Sequence, residues 1–240
     1  MVRLRVEHDR IRVRTVTDTL REAIGSSGPI LLDFDGPICG VFENYSAWRV
    51  AAQLRDMAEA SGATIPEAIQ SERDPLAVLS WSATVADPSI ASVVESTLII
   101  EETKAVRTAQ ATPGVVEILR KADRLARPLA VVSNNSSDAI NVFLKQASLD
   151  GYVWAVIGRR KGHPELMKPH PYAVLDAADE FSANPADCVF VGDSLSDIEA
   201  GRAAGVRTVG FANRAGKFEA LIESGADAVT WSMQEIADCL

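Results

Sequence analysis

Two carboxylates set two residues apart, Asp33 and Asp35, end the apolar run Ile30-Leu31-Leu32, and Gly36-Pro37 closes the segment. In an extended chain side chains alternate, so a spacing of two puts both acids on one side. Carboxylates that close repel unless a cation or a proton intervenes. That leaves a divalent metal, an acid/base pair, or both; the reading without chemistry is a strand end running into an Asp-Gly turn. Two other apolar runs end in the same manner. Ser133-Asn134 follows Pro128–Val132, and Asp193 follows Cys188–Val191 and Gly192, with Asp197 four residues on.

These types suit phosphoryl transfer. A metal held by carboxylates offsets the repulsion between a phosphate and an attacking carboxylate, and Mg²⁺ prefers such oxygen ligands. A hydroxyl such as Ser133, with nearby backbone N–H groups, holds non-reacting phosphate oxygens. Lys168, in Met167-Lys168-Pro169, is a candidate for the balancing cation, although alone it reads as an exposed loop lysine.

The elements that must position these groups follow from the pattern of apolar residues. The short bounded run at 30–32 reads as a buried strand of a parallel sheet. After Thr112-Pro113-Gly114 a helix-then-strand alternation sets in. Helices at 113–126, 137–147, 171–181 and 195–204 alternate with strands at 128–132, 153–157, 188–191 and 206–211, and a further helix, a strand near 228–230 and a terminal helix complete the chain. Such alternation predicts an α/β fold, a Rossmann-like doubly wound parallel sheet. Right-handed connections gather its strand ends along one edge. Between 40 and 110 glycine is rare and helix formers dominate, which predicts an inserted four-helix unit over 43–60, 65–73, 75–85 and 89–110. Trp48, Ala51, Ala52, Leu54 and Met57 are its expected core. The core domain is then 1–39 plus 111–240, with 1–28 as an N-terminal extension. In that extension Val2 to Val13 alternates as two short strands around His8-Asp9 beside an arginine series, and Thr17-Asp18 caps a helix over 18–25.

The chain of 240 residues has 24 basic and 33 acidic residues, a formal charge of −9. That balance argues against nucleic acid or an anionic membrane as partner. No segment has the length of a membrane span. Three widely spaced cysteines, Cys39, Cys188 and Cys239, form no metal pattern and suggest reduced thiols in a cytoplasm.

Asp33-Phe34-Asp35-Gly36, Val132-Ser133-Asn134, Lys168-Pro169 and Gly192-Asp193-Ser194-Leu195-Ser196-Asp197 resemble, in order, the four motifs of the haloacid dehalogenase-like hydrolases. The spacings are 100, 35 and 25 residues from Asp33 through Ser133 and Lys168 to Asp193. The helical insert looks like that family's C1-type cap, and the resemblance covers about 29–231. It implies Asp33 as a nucleophile forming an aspartyl-phosphate and Asp35 as general acid/base. It also implies Mg²⁺ on Asp33, the backbone carbonyl of Asp35 and Asp193, with Asp197 supporting the metal shell or Lys168. Ser133, Asn134 and Lys168 would hold the phosphate of a small phosphorylated metabolite. Pro37 departs from the Thr or Val usual there, which removes an N–H. Alternatives on the same motifs are a sugar-phosphate mutase, a phosphonate hydrolase and a catalytically silent regulatory protein. A phosphonate hydrolase needs an early cap lysine, whereas the insert's one lysine is Lys104, near its end. Specificity is expected from Phe42, Tyr45, Trp48 and Arg49. The basic stretch Arg159–His163 reads as a solvated loop or, less favoured, a second anionic contact.

Overall fold

The computed structural model describes residues 16–25 and 28–240. The expected strands at 2–13 and their arginine series lie outside these. Helix α1 (Val16–Ile24) starts earlier than expected, so Thr17 and Asp18 fall within it rather than capping it. Six parallel strands form one sheet: β1 (Ile30–Leu32), β2 (Leu129–Val132), β3 (Ala155–Ile157), β4 (Val189–Gly192), β5 (Arg207–Phe211) and β6 (Ala228–Thr230). Their order is β3-β2-β1-β4-β5-β6. Every residue of β1, β2 and β4 is buried, as expected for strands covered on both faces. The order reverses direction at β1, and the crevice beside β4 is where doubly wound sheets receive ligands.

Helices α2 (Ala47–Ala60), α3 (Glu67–Gln70), α4 (Pro75–Ser82) and α5 (Pro88–Ala105) intervene between β1 and α6 (Val115–Arg124). Their starts are set by sequence. Asp74 and Asp87 accept from Leu76 N and Ser89 N, and Pro75 and Pro88 take the first helical position. These helices pack around their own apolar cluster, which includes Val50, Leu54, Leu79, Val94 and Leu98. Several expectations need correction: α2 begins at Ala47 and not at 43, and α4 ends at Ser82 and not at 85. The segment 65–73 forms one helical turn rather than a full helix, and α5 ends at Ala105 because the chain turns back to the sheet. There Thr112 N donates to Ile38 O and Thr112 Oγ1 to Gly36 O, so the outgoing and returning connections run side by side. Trp48 is 54% exposed and Met57 38%. The buried stripe of α2 runs through Val50, Ala51, Leu54 and Ala58 and leaves both outside it.

Helices α7 (Ser137–Gln146), α8 (Tyr172–Glu180), α9 (Leu195–Ala204), α10 (Lys217–Glu223) and α11 (Met233–Cys239) complete the layers over the sheet. Strand β3 starts at Ala155, two residues later than expected. Among the described residues no helix is long and apolar enough to cross a membrane.

Candidate active site

The strand ladders run one residue past β1 and β2. Asp33 N donates to Val191 O and Ser133 N to Ile157 O, each at 2.9 Å, which fixes both backbones at the sheet edge. Asp33 is buried, and its hydrogen bonds fall on Oδ1, from Phe34 N and from Lys168 Nζ, both at 2.7 Å. Lys168 reaches it across 135 residues of sequence. Its Nζ also pairs with Asp197 Oδ1 at 2.6 Å. Asn134 holds the lysine's main chain, donating Nδ2 to Lys168 O at 3.1 Å and accepting from Lys168 N at 2.8 Å. The Asn134 side chain, expected to hold phosphate, is thus committed to Lys168.

Asp193 and Asp197 sit at the start of α9. Asp197 Oδ2 accepts from Asp193 N, Ser194 N and Ser194 Oγ, and Ser194 Oγ accepts from Asp197 N in return. This reciprocal cap fixes the helix start and aims the other oxygen of Asp197 at Lys168. Asp193 Oδ2 accepts from Asn213 Nδ2 at 2.8 Å and Lys217 Nζ at 2.5 Å. Gly36 lies against this carboxylate at φ +114°, where a Cβ would stand 2.4 Å from Asp193 Cγ. Only glycine accommodates both the backbone angle and the approach. Pro37 causes no loss, since Gly36 N, Ile38 N and Cys39 N close the turn around it.

Asn213 and Lys217 lie outside the residues expected from sequence. They come after β5, and the rule that finds the other groups, polar residues after an apolar strand, applies equally to Ala212-Asn213.

Four carboxylates, Asp33, Asp35, Asp193 and Asp197, thus face two lysines. Burial, with Asp197 and Asp193 adding to it against Lys168, raises the Asp33 pKa well above the usual carboxylate range. Burial opposes the charge on Lys168, but Asp197 and Asp33 outweigh it and hold the ammonium form. Burial pushes the Asp35 carboxyl up to about 6, against a hydrogen bond its Oδ1 accepts from Val41 N at 2.8 Å. Asp33, Asp193 and Asp197 each offer an oxygen within 4.8 Å of the others. The Asp35 side chain is not part of this group. An all-oxygen donor set of excess negative charge fits a hard divalent cation such as Mg²⁺.

A consequence is measurable. Because burial raises the Asp33 pKa, a divalent cation bound there would compete with the proton, and Mg²⁺ affinity is expected to rise with pH. Calorimetry in buffers of different ionisation heat should show release of up to about one proton per ion. A Mg²⁺ affinity that does not rise with pH would contradict this.

The site opens into a cleft of about 770 Å³. Asp33, Asp35, Ser133, Lys168 and Asp193 line it, with Phe42, Arg73 and Leu76 from the helical insert and Arg214 from the loop after β5. Of the expected specificity residues, Phe42 lines the cleft. Tyr45 instead donates to Glu101 at 2.5 Å, and Arg49 lies over the exposed Trp48 ring at 5.3 Å. Both Trp48 and Tyr45 line a neighbouring depression. Arg159 is buried and ion-paired to Glu95 and Glu102, so the solvated-loop reading of 159–163 fails at its first residue.

A family model described as haloacid dehalogenase-like hydrolase matches residues 30–205. The phosphoglycolate phosphatase of Escherichia coli (strain K12) is 30% identical over 128 residues, 53% of this chain and 50% of that protein. The chain therefore spans about half the length of the curated relatives it matches. A hydrolase from Pseudomonas syringae superposes with a TM-score of 0.66 at 21% identity, covering 88% of this chain and 96% of that one. A predicted phosphoglycolate phosphatase from Haemophilus somnus 129pt gives 0.65 at 19% identity, covering 89% and 98%. The likeness to both solved structures is one of fold.

Proposed function

The chain belongs to the haloacid dehalogenase-like hydrolases, and from that premise we propose that it is a Mg²⁺-dependent phosphomonoesterase acting on a small phosphorylated metabolite. The observation that carries this is the pairing of Asp33 with Lys168 at 2.7 Å, at the floor of a cleft that Asp35 also lines. Asp33 attacks phosphorus, the bond to the leaving oxygen breaks, and an aspartyl-phosphate forms. Asp33 Oδ2 accepts no hydrogen bond from the described residues, while Oδ1 stays on Phe34 N and Lys168. Asp35, protonated below about pH 6, gives its proton to the leaving oxygen and then takes one from the attacking water. Ser133 and Lys168 hold the non-reacting oxygens. Asp33 and Asp193, with the Asp35 carbonyl, would hold Mg²⁺, and Asp197 supports Lys168. The bound ion supplies neutralisation of phosphate charge.

Residues 40–110 act as the cap that bounds the cleft and excludes water and large substrates. The odd, widely spaced cysteines favour a cytoplasmic setting. Arg73 and Arg214 stand at the cleft with no ion pair among the described residues, adding two cations to Lys168 among its lining carboxylates. They favour an ester carrying a second anionic group, and phosphoglycolate, named for the Escherichia coli relative, is the first such ester to test.

The test is phosphate release from a panel of phosphoglycolate, sugar phosphates, neutral alkyl phosphates and an aryl phosphate. Release should need Mg²⁺ and stop on chelation. Full activity after exhaustive chelation, or no release from any ester, would contradict the reading. Isomerised sugar phosphate without release would favour the mutase.

A further inference from the structure

Buried charge in this molecule extends beyond the cleft. Glu95 and Glu102 on α5 are seven residues apart, two turns along one helix face, and both meet Arg159 in the loop after β3. The Arg159 side chain is 1% exposed and that of Glu102 is 0%. Burying such a pair is costly unless the remaining hydrogen-bonding capacity is used. For Glu102 it is used, and on a particular target. Oε1 accepts from Arg159 Nη1 at 2.8 Å and Asn135 Nδ2 at 3.2 Å, and Oε2 accepts from Arg159 Nη2 at 3.3 Å and Ser136 N at 3.0 Å.

Two routes lead from this pair to the phosphate site. In the first, Glu102 takes the amide nitrogen of Asn135, which turns the amide oxygen toward Ser133. Ser133 Oγ donates to that oxygen at 3.2 Å and accepts from Asn135 N at 3.1 Å. An amide has two orientations of nearly equal shape, and a carboxylate at one end selects between them. In the second, Arg159 Nη1 donates to Asn134 O at 2.7 Å, and the Asn134 side chain grips both the N–H and the carbonyl of Lys168.

We infer that Glu102, on a helix of the inserted segment, and Arg159, in the loop after β3, are positioning residues for the phosphate site, setting the Ser133 hydroxyl and the Lys168 main chain. The inference rests on the phosphatase reading, and it makes phosphate affinity depend on α5. Glu95 provides an internal control. It pairs with Arg159 at 3.4 Å and accepts from Gly162 N at 2.8 Å, with no hydrogen bond to residues 133–136 or Lys168.

The experiment is calorimetric binding of inorganic phosphate to the Mg²⁺-loaded protein, with KM for one ester measured alongside. Glu102→Gln keeps the shape but turns an acceptor oxygen into a donor facing donors. Phosphate Kd and KM should rise about tenfold, from unpaired polar groups in a buried network, while Mg²⁺ affinity without phosphate stays within about twofold. Glu95→Gln should leave phosphate Kd unchanged. Arg159→Lys keeps the charge but loses the planar fork whose Nη1 bridges Glu102 and Asn134 O while Nη2 holds Glu102, and should behave as Glu102→Gln; it carries the test if that variant fails to fold. Wild-type phosphate Kd in a folded Glu102→Gln or Arg159→Lys protein would overturn the inference. So would equal weakening by Glu95→Gln, the mark of a general loss of buried charge. A wild-type protein that neither binds phosphate nor releases it from any ester overturns the phosphatase reading itself, and this inference with it.

Discussion

Asp33→Asn is expected to remove turnover, by on the order of 10⁴ to 10⁶-fold, with the fold intact. In the proposed reaction the Asp33 carboxylate forms the bond to phosphorus, and a neutral amide is not a nucleophile there. Asparagine is nearly isosteric, and Oδ1 can still accept from Phe34 N and Lys168 Nζ, the two donors that now hold it. Lys168 would keep Asp197 as counter-charge at 2.6 Å. Substrate binding should therefore survive while covalent labelling disappears. Steady-state rates and a binding isotherm for an unhydrolysed ester check both halves. Loss of binding together with turnover would show a structural role instead.

Asp35→Asn should cost less, on the order of 10² to 10⁴-fold, because it leaves the nucleophile and removes only the proton shuttle. The effect should depend on the ester. A good leaving group needs little protonation, so its penalty is smallest when phosphorylation limits the rate. The pH dependence has a definite sign. Burial holds the Asp35 carboxyl protonated up to about pH 6, and the first step uses the proton. The phosphorylation rate of the unaltered protein should therefore fall as pH rises through about 6. That limb should be missing in Asp35→Asn. A limb of the same position in the variant would assign it to another group.

The reach of the sequence is clearest when residues are compared. Asp33, Ser133, Lys168, Asp193 and Asp197 converge in one cleft. For the four that follow β1, β2 and β4, placement is readable from two rules: apolar runs become parallel strands, and the polar residues after each run gather at one edge; Lys168 follows no strand, and only the motif resemblance singles it out. Asn213 obeys the same rules but carries no matching motif to single it out. Arg159 escapes a sequence reading for a different reason. A charged residue in Arg159-Arg160-Lys161 is exposed by default, and its burial depends on Glu95 and Glu102, 64 and 57 residues away. No local pattern encodes such a pairing. Trp48 shows the same limit on a smaller scale. Its position on α2 lies just off the buried stripe, and composition alone does not fix the phase of a helix.

Transfer of phosphorus to Asp33 and its release through Asp35 are tested most directly by trapping the transfer. Asp35→Asn protein with Mg²⁺ is mixed with phosphate-labelled substrate of good leaving group, quenched in acid within milliseconds to seconds, and digested for peptide mapping. The expected result is stoichiometric acid-stable label on the peptide containing Asp33, carried by Asp33 itself, and none in Asp33→Asn. Label on Asp35 in the unaltered protein, or turnover persisting in Asp33→Asn, would contradict it.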